Sequence, residues 1–305
     1  MKRVLLLFTA ILFISCSSSK LTIKQDEVVS KIQKVAKKYG VGRLGLSAKN
    51  FVTGETIQIN ADSLFPTASV IKVPILVELF YKFEEGKLKK DTLVSLDDSL
   101  KYGGAGVLQY FYNGAKLKLI DVAVLMIILS DNTATNLVLD CFANEHDAKL
   151  EAVNSRMKSL GLENTKILNK LMSFKTKKNT PEALKFGVGY TTPNDMLKLL
   201  EMLANGKIIN PSVSAEIINI MKNNQDYEMM KRYLPEKVAV ANKTGSIDRM
   251  KADIGIVYSQ CTTYAVAIFC DQLSEVSYAV DNKGHLAIAE ISKIIFDYFT
   301  KGKCD

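Results

Sequence analysis

Apolar positions follow a helical period at both ends of the chain and through its middle, and alternate in short blocks in between. In residues 26–39, Val28, Val29, Ile32, Val35 and Ala36 fall near one face, which predicts an amphipathic helix. Residues 44–51 and 55–60 alternate apolar and polar around Val52-Thr53-Gly54, the pattern of a hairpin. From residue 68 to about 83 the spacing turns helical, and it stays mostly helical to about 222. Residues 122–129 are apolar on every side and predict a fully buried helix. Residues 196–204 predict another helix, introduced by Pro193-Asn194-Asp195 and stopped by Asn205-Gly206. Strands return at 253–259 and 262–270, with a possible edge at Tyr278-Ala279-Val280, and residues 285–299 close the chain as an amphipathic helix. The order predicts an α+β fold. One antiparallel sheet carries the first and last helices on one face, and residues about 68–225 are inserted as an all-α lobe, leaving a cleft between the lobes.

The first fifteen residues stand apart. Lys2 and Arg3 precede an apolar run from Val4 to Ile14, then Ser15 and Cys16. This reads as a signal peptide, 1–15, too short to span a membrane. Cys16 then becomes a lipidated first residue, with 16–25 as a tether and 26–305 as the folded domain. Phe13 replaces the usual leucine of such a lipoprotein box, so cleavage by ordinary signal peptidase is the alternative. The expected location is the cell envelope or periplasm, with a membrane partner through Cys16. Net charge is +8, of which Lys2 and Arg3 would be lost. So modest an excess, without aromatic-basic alternation, excludes a nucleic-acid binder. None of Cys141, Cys261, Cys270 and Cys304 has metal-ligand spacing with a histidine. No metal or cofactor is expected, and the thiols are expected to be buried and free.

With only His146 and His285, a Ser-His-Asp site has little to draw on. Three motifs offer a nucleophile without histidine. Ser69-Val70-Ile71-Lys72 opens an apolar helix, so Ser69 and Lys72 share a face one turn apart, near free backbone N–H groups. A lysine can serve as the base if burial and nearby positive charge hold its pKa down. The same spacing at Ser17 and Lys20 and at Ser155 and Lys158 falls in the tether and on a polar helix. Ser130-Asp131-Asn132 follows the most apolar helix and also fits a helix cap. Lys243-Thr244-Gly245-Ser246 precedes the late strands and fits either a polar turn or an edge strand.

This triplet, in this order, resembles the class A β-lactamases and penicillin-binding proteins. The resemblance covers most of the chain from about Asp26. It implies Ser69 as acylated nucleophile, Lys72 as candidate base, Ser130 as proton shuttle and Asn132 as substrate-amide ligand. Lys243 and Thr244 would hold a carboxylate, Gly245 would let the substrate backbone lie close, and Ser69 and Ser246 N–H would form the oxyanion hole. Tyr102, in Tyr102-Gly103-Gly104-Ala105-Gly106, resembles the aromatic at the cleft mouth. The family's deacylating glutamate, in an E-x-x-L-N pattern, is absent, and Leu171 takes its place; Glu163 and Glu182 could substitute only in a rebuilt loop. The resemblance thus implies a serine hydrolase opening β-lactam amides through acyl-Ser69. A D-Ala-D-Ala peptidase or esterase, or a penicillin-binding lipoprotein with slow deacylation, is the alternative.

Overall fold

The computed structural model describes residues 12–301, with side chains from Gln25 onward. Residues 1–11 of the expected signal peptide and the Cys16 side chain lie outside them.

Helix α1 (Leu12–Lys38) leads into strands β1 (Val41–Asn50) and β2 (Thr56–Ile59). A middle segment follows: β3 (Phe65–Pro66), α2 (Lys72–Glu84), β4 (Leu93–Ser95), β5 (Lys116–Lys118), α3 (Leu119–Ile128), α4 (Asn132–Asp140) and α5 (His146–Ser159). It continues through β6 (Lys166–Ile167), α6 (Pro181–Phe186), β7 (Gly189–Thr191), α7 (Pro193–Ala204) and α8 (Pro211–Lys222). Strands β8 (Ala239–Ile247), β9 (Met250–Tyr258) and β10 (Thr263–Leu273) and helix α9 (Lys283–Thr300) complete the chain.

The main sheet has the order β2-β1-β10-β9-β8. It joins the N-terminal hairpin to the C-terminal strands by pairing β1 with β10, Leu44 opposite Cys270 and Asn50 opposite Tyr264. Alternation along β10 divides the core. Ala265, Ala267 and Phe269 face the middle segment, while Tyr264, Val266, Ile268 and Cys270 face α1 and α9. The α+β architecture with terminal helices on one face is therefore the one the hydrophobic pattern predicts.

Several expectations need correction. Helix α1 is continuous through residues 16–25, read above as a tether, and among its residues from Gln25 onward the first buried one is Val28. The middle segment is not all-α: β3, β7 and β6 form a small sheet and β4 pairs with β5. Strands of two or three residues are too short to leave a period-two signature. Helix α3 buries Val122, Ala123, Met126 and Ile127, but Val124, Leu125 and Ile128 stay half-buried. Residues 278–280 form no strand, and the edges of the main sheet are β2 and β8. The motif Lys243-Thr244-Gly245 lies within β8 itself. Cys270 is buried and free, as expected; Cys141 is free but half-buried, Cys261 is disulfide-bonded, and Cys304 lies outside the described residues. Among the described residues no helix is long and apolar enough to cross a membrane.

Candidate active site

Ser69 sits on a tight 3₁₀ turn, Ala68–Ile71, that runs into α2 at Lys72. The turn is fixed from both sides. Thr67 N donates to Gly189 O on β7 at 2.9 Å. On the other side Gly245 of β8 presses against it: a Cβ there would meet Thr67 O at 3.0 Å, and Ala68 Cβ and Ser69 N at 3.2 Å. Gly245 is thus required by close approach, and it brings the third motif against the backbone of the first. Ala68 is held at φ +43°, a left-handed conformation costing an L-residue roughly 1–2 kcal/mol. Such strain persists only where the surroundings over-determine it.

Lys72 is fully buried. Its Nζ lies 2.5 Å from Ser130 O, 3.1 Å from Ser130 Oγ and 2.9 Å from Asn132 Oδ1. These contacts require Ser130 at φ +52°, the second strained residue of the site. Burial holds the Lys72 pKa well below the ordinary lysine value; the Lys243 charge pushes the same way and Asp131 opposes it. Lys72 Nζ donates to all three oxygens, which uses the three N–H donors of a lysine ammonium.

Asp131 shows that the capping and functional readings of the second motif coexist. Its Oδ1 accepts from Ala134 N at 2.8 Å, capping α4. Its Oδ2 accepts from Val107 N and Leu108 N at 2.6 and 2.8 Å. Asn132 Nδ2 donates to Gly103 O at 3.0 Å, and Thr133 Oγ1 bonds both Tyr102 N and Tyr102 O. The loop bearing Tyr102, half-buried, is therefore tied to the start of α4.

Sequence reasoning missed Asn136, fully buried one helical turn beyond Asn132. Its side-chain amide clamps Leu171 at both backbone groups, donating to Leu171 O at 2.7 Å and accepting from Leu171 N at 3.0 Å. The i, i+4 spacing of the two asparagines was the available signal. Lys170 pairs with Asp140 at 2.5 Å, anchoring the loop one residue earlier. Leu171 is 4% exposed, so an apolar side chain occupies the position where the resemblance expects glutamate. Glu163 is exposed, and Glu182 faces Lys166 at 3.8 Å. Asn136→Ala would leave the Leu171 backbone unpaired in a buried setting, at a cost of about 1–3 kcal/mol. Thermal unfolding is expected to show a lower midpoint, and limited proteolysis is expected to cut first in the loop around Leu171.

Lys243 is fully buried on β8, with its Nζ donating to Thr244 O at 2.7 Å. Burial lowers its pKa to about 8, against the opposing pull of Asp226 and Asp253. Thr244 is buried and Ser246 half-buried further along the strand. The structure thus brings together all three motifs and the Tyr102 loop. Among the described residues no cluster of three or more His, Cys, Asp or Glu could hold a metal ion.

A family model described as the beta-lactamase enzyme family matches residues 27–299. The chain is 24% identical to beta-lactamase VEB-1 of Pseudomonas aeruginosa over 98% of both chains. It is 25% identical to beta-lactamase SME-1 of Serratia marcescens, over 73% of this chain and 72% of that one. Among solved structures, PBP-A superposes with a TM-score of 0.75 at 28% identity, covering 88% of this chain and 96% of that one. A leucine-to-glutamate mutant of PBP-A, an acyl-enzyme complex with penicillin G, gives 0.78 at 27% identity, covering 90% and 97%.

Proposed function

The chain belongs to the beta-lactamase enzyme family, and from that premise we propose that it is acylated by β-lactams at Ser69 and releases the acyl group slowly. It is a class A β-lactamase-like serine hydrolase, and the roles below follow the resemblance of its three motifs, supported by the contacts of Lys72 with Ser130 and Asn132.

Ser69 Oγ attacks the β-lactam carbonyl carbon, and Lys72 Nζ takes the hydroxyl proton. A buried amine with depressed basicity can do so at neutral pH. The developing oxyanion is held by Ser69 N–H and Ser246 N–H, each worth roughly 3–4 kcal/mol in comparable enzymes. The C–N bond then breaks, and the leaving nitrogen takes a proton from Ser130 Oγ. Lys72, now an ammonium 3.1 Å away, replaces it. The result is an ester on Ser69 and a neutral Lys72. Asn132 receives the substrate amide, Lys243 and Thr244 its carboxylate, and Tyr102 borders the mouth of the cleft.

The observation that carries the slow step is Leu171. It is buried and clamped by Asn136 on the same face of α4 as Asn132, the partner of Lys72. A leucine cannot activate water. The acyl-enzyme complex of a PBP-A mutant with penicillin G supports, by similarity, acylation by a β-lactam. A D-Ala-D-Ala peptidase or esterase activity uses the same residues and is favoured by the same leucine. Export, with Cys16 as a lipid anchor in the cell envelope, completes the proposal and rests on the sequence of residues 1–16.

The test is labelling of the full chain with a fluorescent penicillin, followed by denaturing electrophoresis. A fluorescent band that survives denaturation is expected, and wild-type protein that takes up no label contradicts the proposal.

A further inference from the structure

The sheet behind the third motif holds a buried acid that the acylation steps leave unused. Asp253 of β9 is fully buried and pairs with Thr244 of β8. Cross-strand partners point to the same face, and Asn242, two residues before Thr244, shares that face. Asn242 Nδ2 donates to both Asp253 oxygens, at 3.0 and 3.1 Å, and Met230 N donates to Oδ2 at 3.0 Å. Asn242 is itself held, its carbonyl accepting from Asn224 Nδ2 at 3.0 Å. Lys243 lies between Asn242 and Thr244, so any shift of that pleat moves its ammonium.

We propose that Asp253 is a positioning residue for recognition of the substrate carboxylate: it clamps Asn242 and so fixes the stretch of β8 that carries Lys243. The inference rests on Lys243 being the carboxylate ligand, as proposed above. By alternation Lys243 points to the opposite face from Asp253, so the two act on each other only at longer range, through the strand. Burial raises Asp253 to about 7; the hydrogen bond from Asn242 lowers it, Asp226 raises it, and Met230 N–H and Lys243 lower it. Asp226 and Lys231 belong to the loop over this face, Lys243 to β8, and Lys251 to β9 itself. Helix α9, packed on the sheet, contributes His285, which faces Glu228 at 3.0 Å. Asp226 and Asp253 are the groups that raise Lys243.

The sign follows from Lys243. Its charge is present below about 8 and lost as pH rises through that value. Removing the Asp253 charge moves the loss to lower pH. In Asp253→Asn the second-order acylation constant for benzylpenicillin is expected to fall about threefold at pH 7.5 and about fivefold at pH 8, the loss of protonated Lys243 when a pKa of about 8 drops by about one unit. Penicillin methyl ester, which has no free carboxylate, should acylate the variant and the wild type at equal rates. The double variant N242D/D253N reverses the amide-acid pair and should recover benzylpenicillin at pH 8 to within about 1.5-fold of wild type.

The pH profile of the wild type is the reference for that shift. Its preference for benzylpenicillin over the methyl ester should decline as pH rises through about 8. A variant whose preference falls over the same pH range as the wild type's, or that loses both compounds equally, overturns the inference. Wild-type protein acylated by neither compound overturns the parent reading and this inference with it.

Discussion

Ser69→Ala is expected to abolish covalent labelling by benzylpenicillin and to leave the fold unchanged. Ser69 is a half-buried residue on a turn held by backbone contacts, Thr67 N to Gly189 O and the close approach of Gly245. None of these uses the serine hydroxyl, so the loss of one oxygen should change stability by no more than about 0.5 kcal/mol. The loss of chemistry is far larger. Removing the nucleophile of another serine hydrolase costs roughly 10⁶ in rate, and here no ester can form. Labelling and circular dichroism of the two proteins side by side make the measurement. A variant that folds and still labels would transfer the acyl group to another residue, with Ser130, near Lys72, the first suspect.

Leu171→Glu is expected to turn a lasting acyl-enzyme into one that is hydrolysed. A positioned general base contributes roughly 10²–10⁴ in rate, and the adduct lifetime should shorten by that factor. The backbone at this position is already set: Asn136 holds Leu171 N and O, and Asn132, one turn earlier on α4, meets Lys72. Burying a carboxylate where a leucine was will cost about 1–3 kcal/mol of stability. Leu171→Gln has nearly the same shape and no base. If glutamine shortens the lifetime as much as glutamate, the gain comes from loosened packing and the assignment of the missing base is wrong.

Much of the site was legible because its motifs depend on local geometry. Three-residue spacing at a helix start places Ser69 and Lys72 on one face whatever the rest of the chain does. The hairpin alternation of residues 44–60 and the amphipathic terminal helices likewise required only a period. The parts that stayed hidden are set by contacts distant in sequence. Nothing local says that Leu171 will hang from Asn136, 35 residues earlier. The link between Asp253 and Asn242 exists only once β8 and β9 are in register, Thr244 opposite Asp253. A visible hint was a lone acid among the apolar residues of β9. The short strands β3, β6 and β7 escaped because two or three residues cannot show alternation. The exposure of Val124, Leu125 and Ile128 escaped because an all-apolar helix gives no sign of which face is left uncovered.

The most direct measurement is the intact mass of the wild-type protein after reaction with benzylpenicillin, followed over time once free drug is removed. One acyl group per chain, on the peptide carrying Ser69 and persisting for many minutes with little drug consumed beyond stoichiometry, is the expected result. Catalytic consumption of a large excess of drug with only a fleeting adduct would show that another group activates the deacylating water, contradicting the role assigned to Leu171. An adduct on any other residue would contradict the site itself.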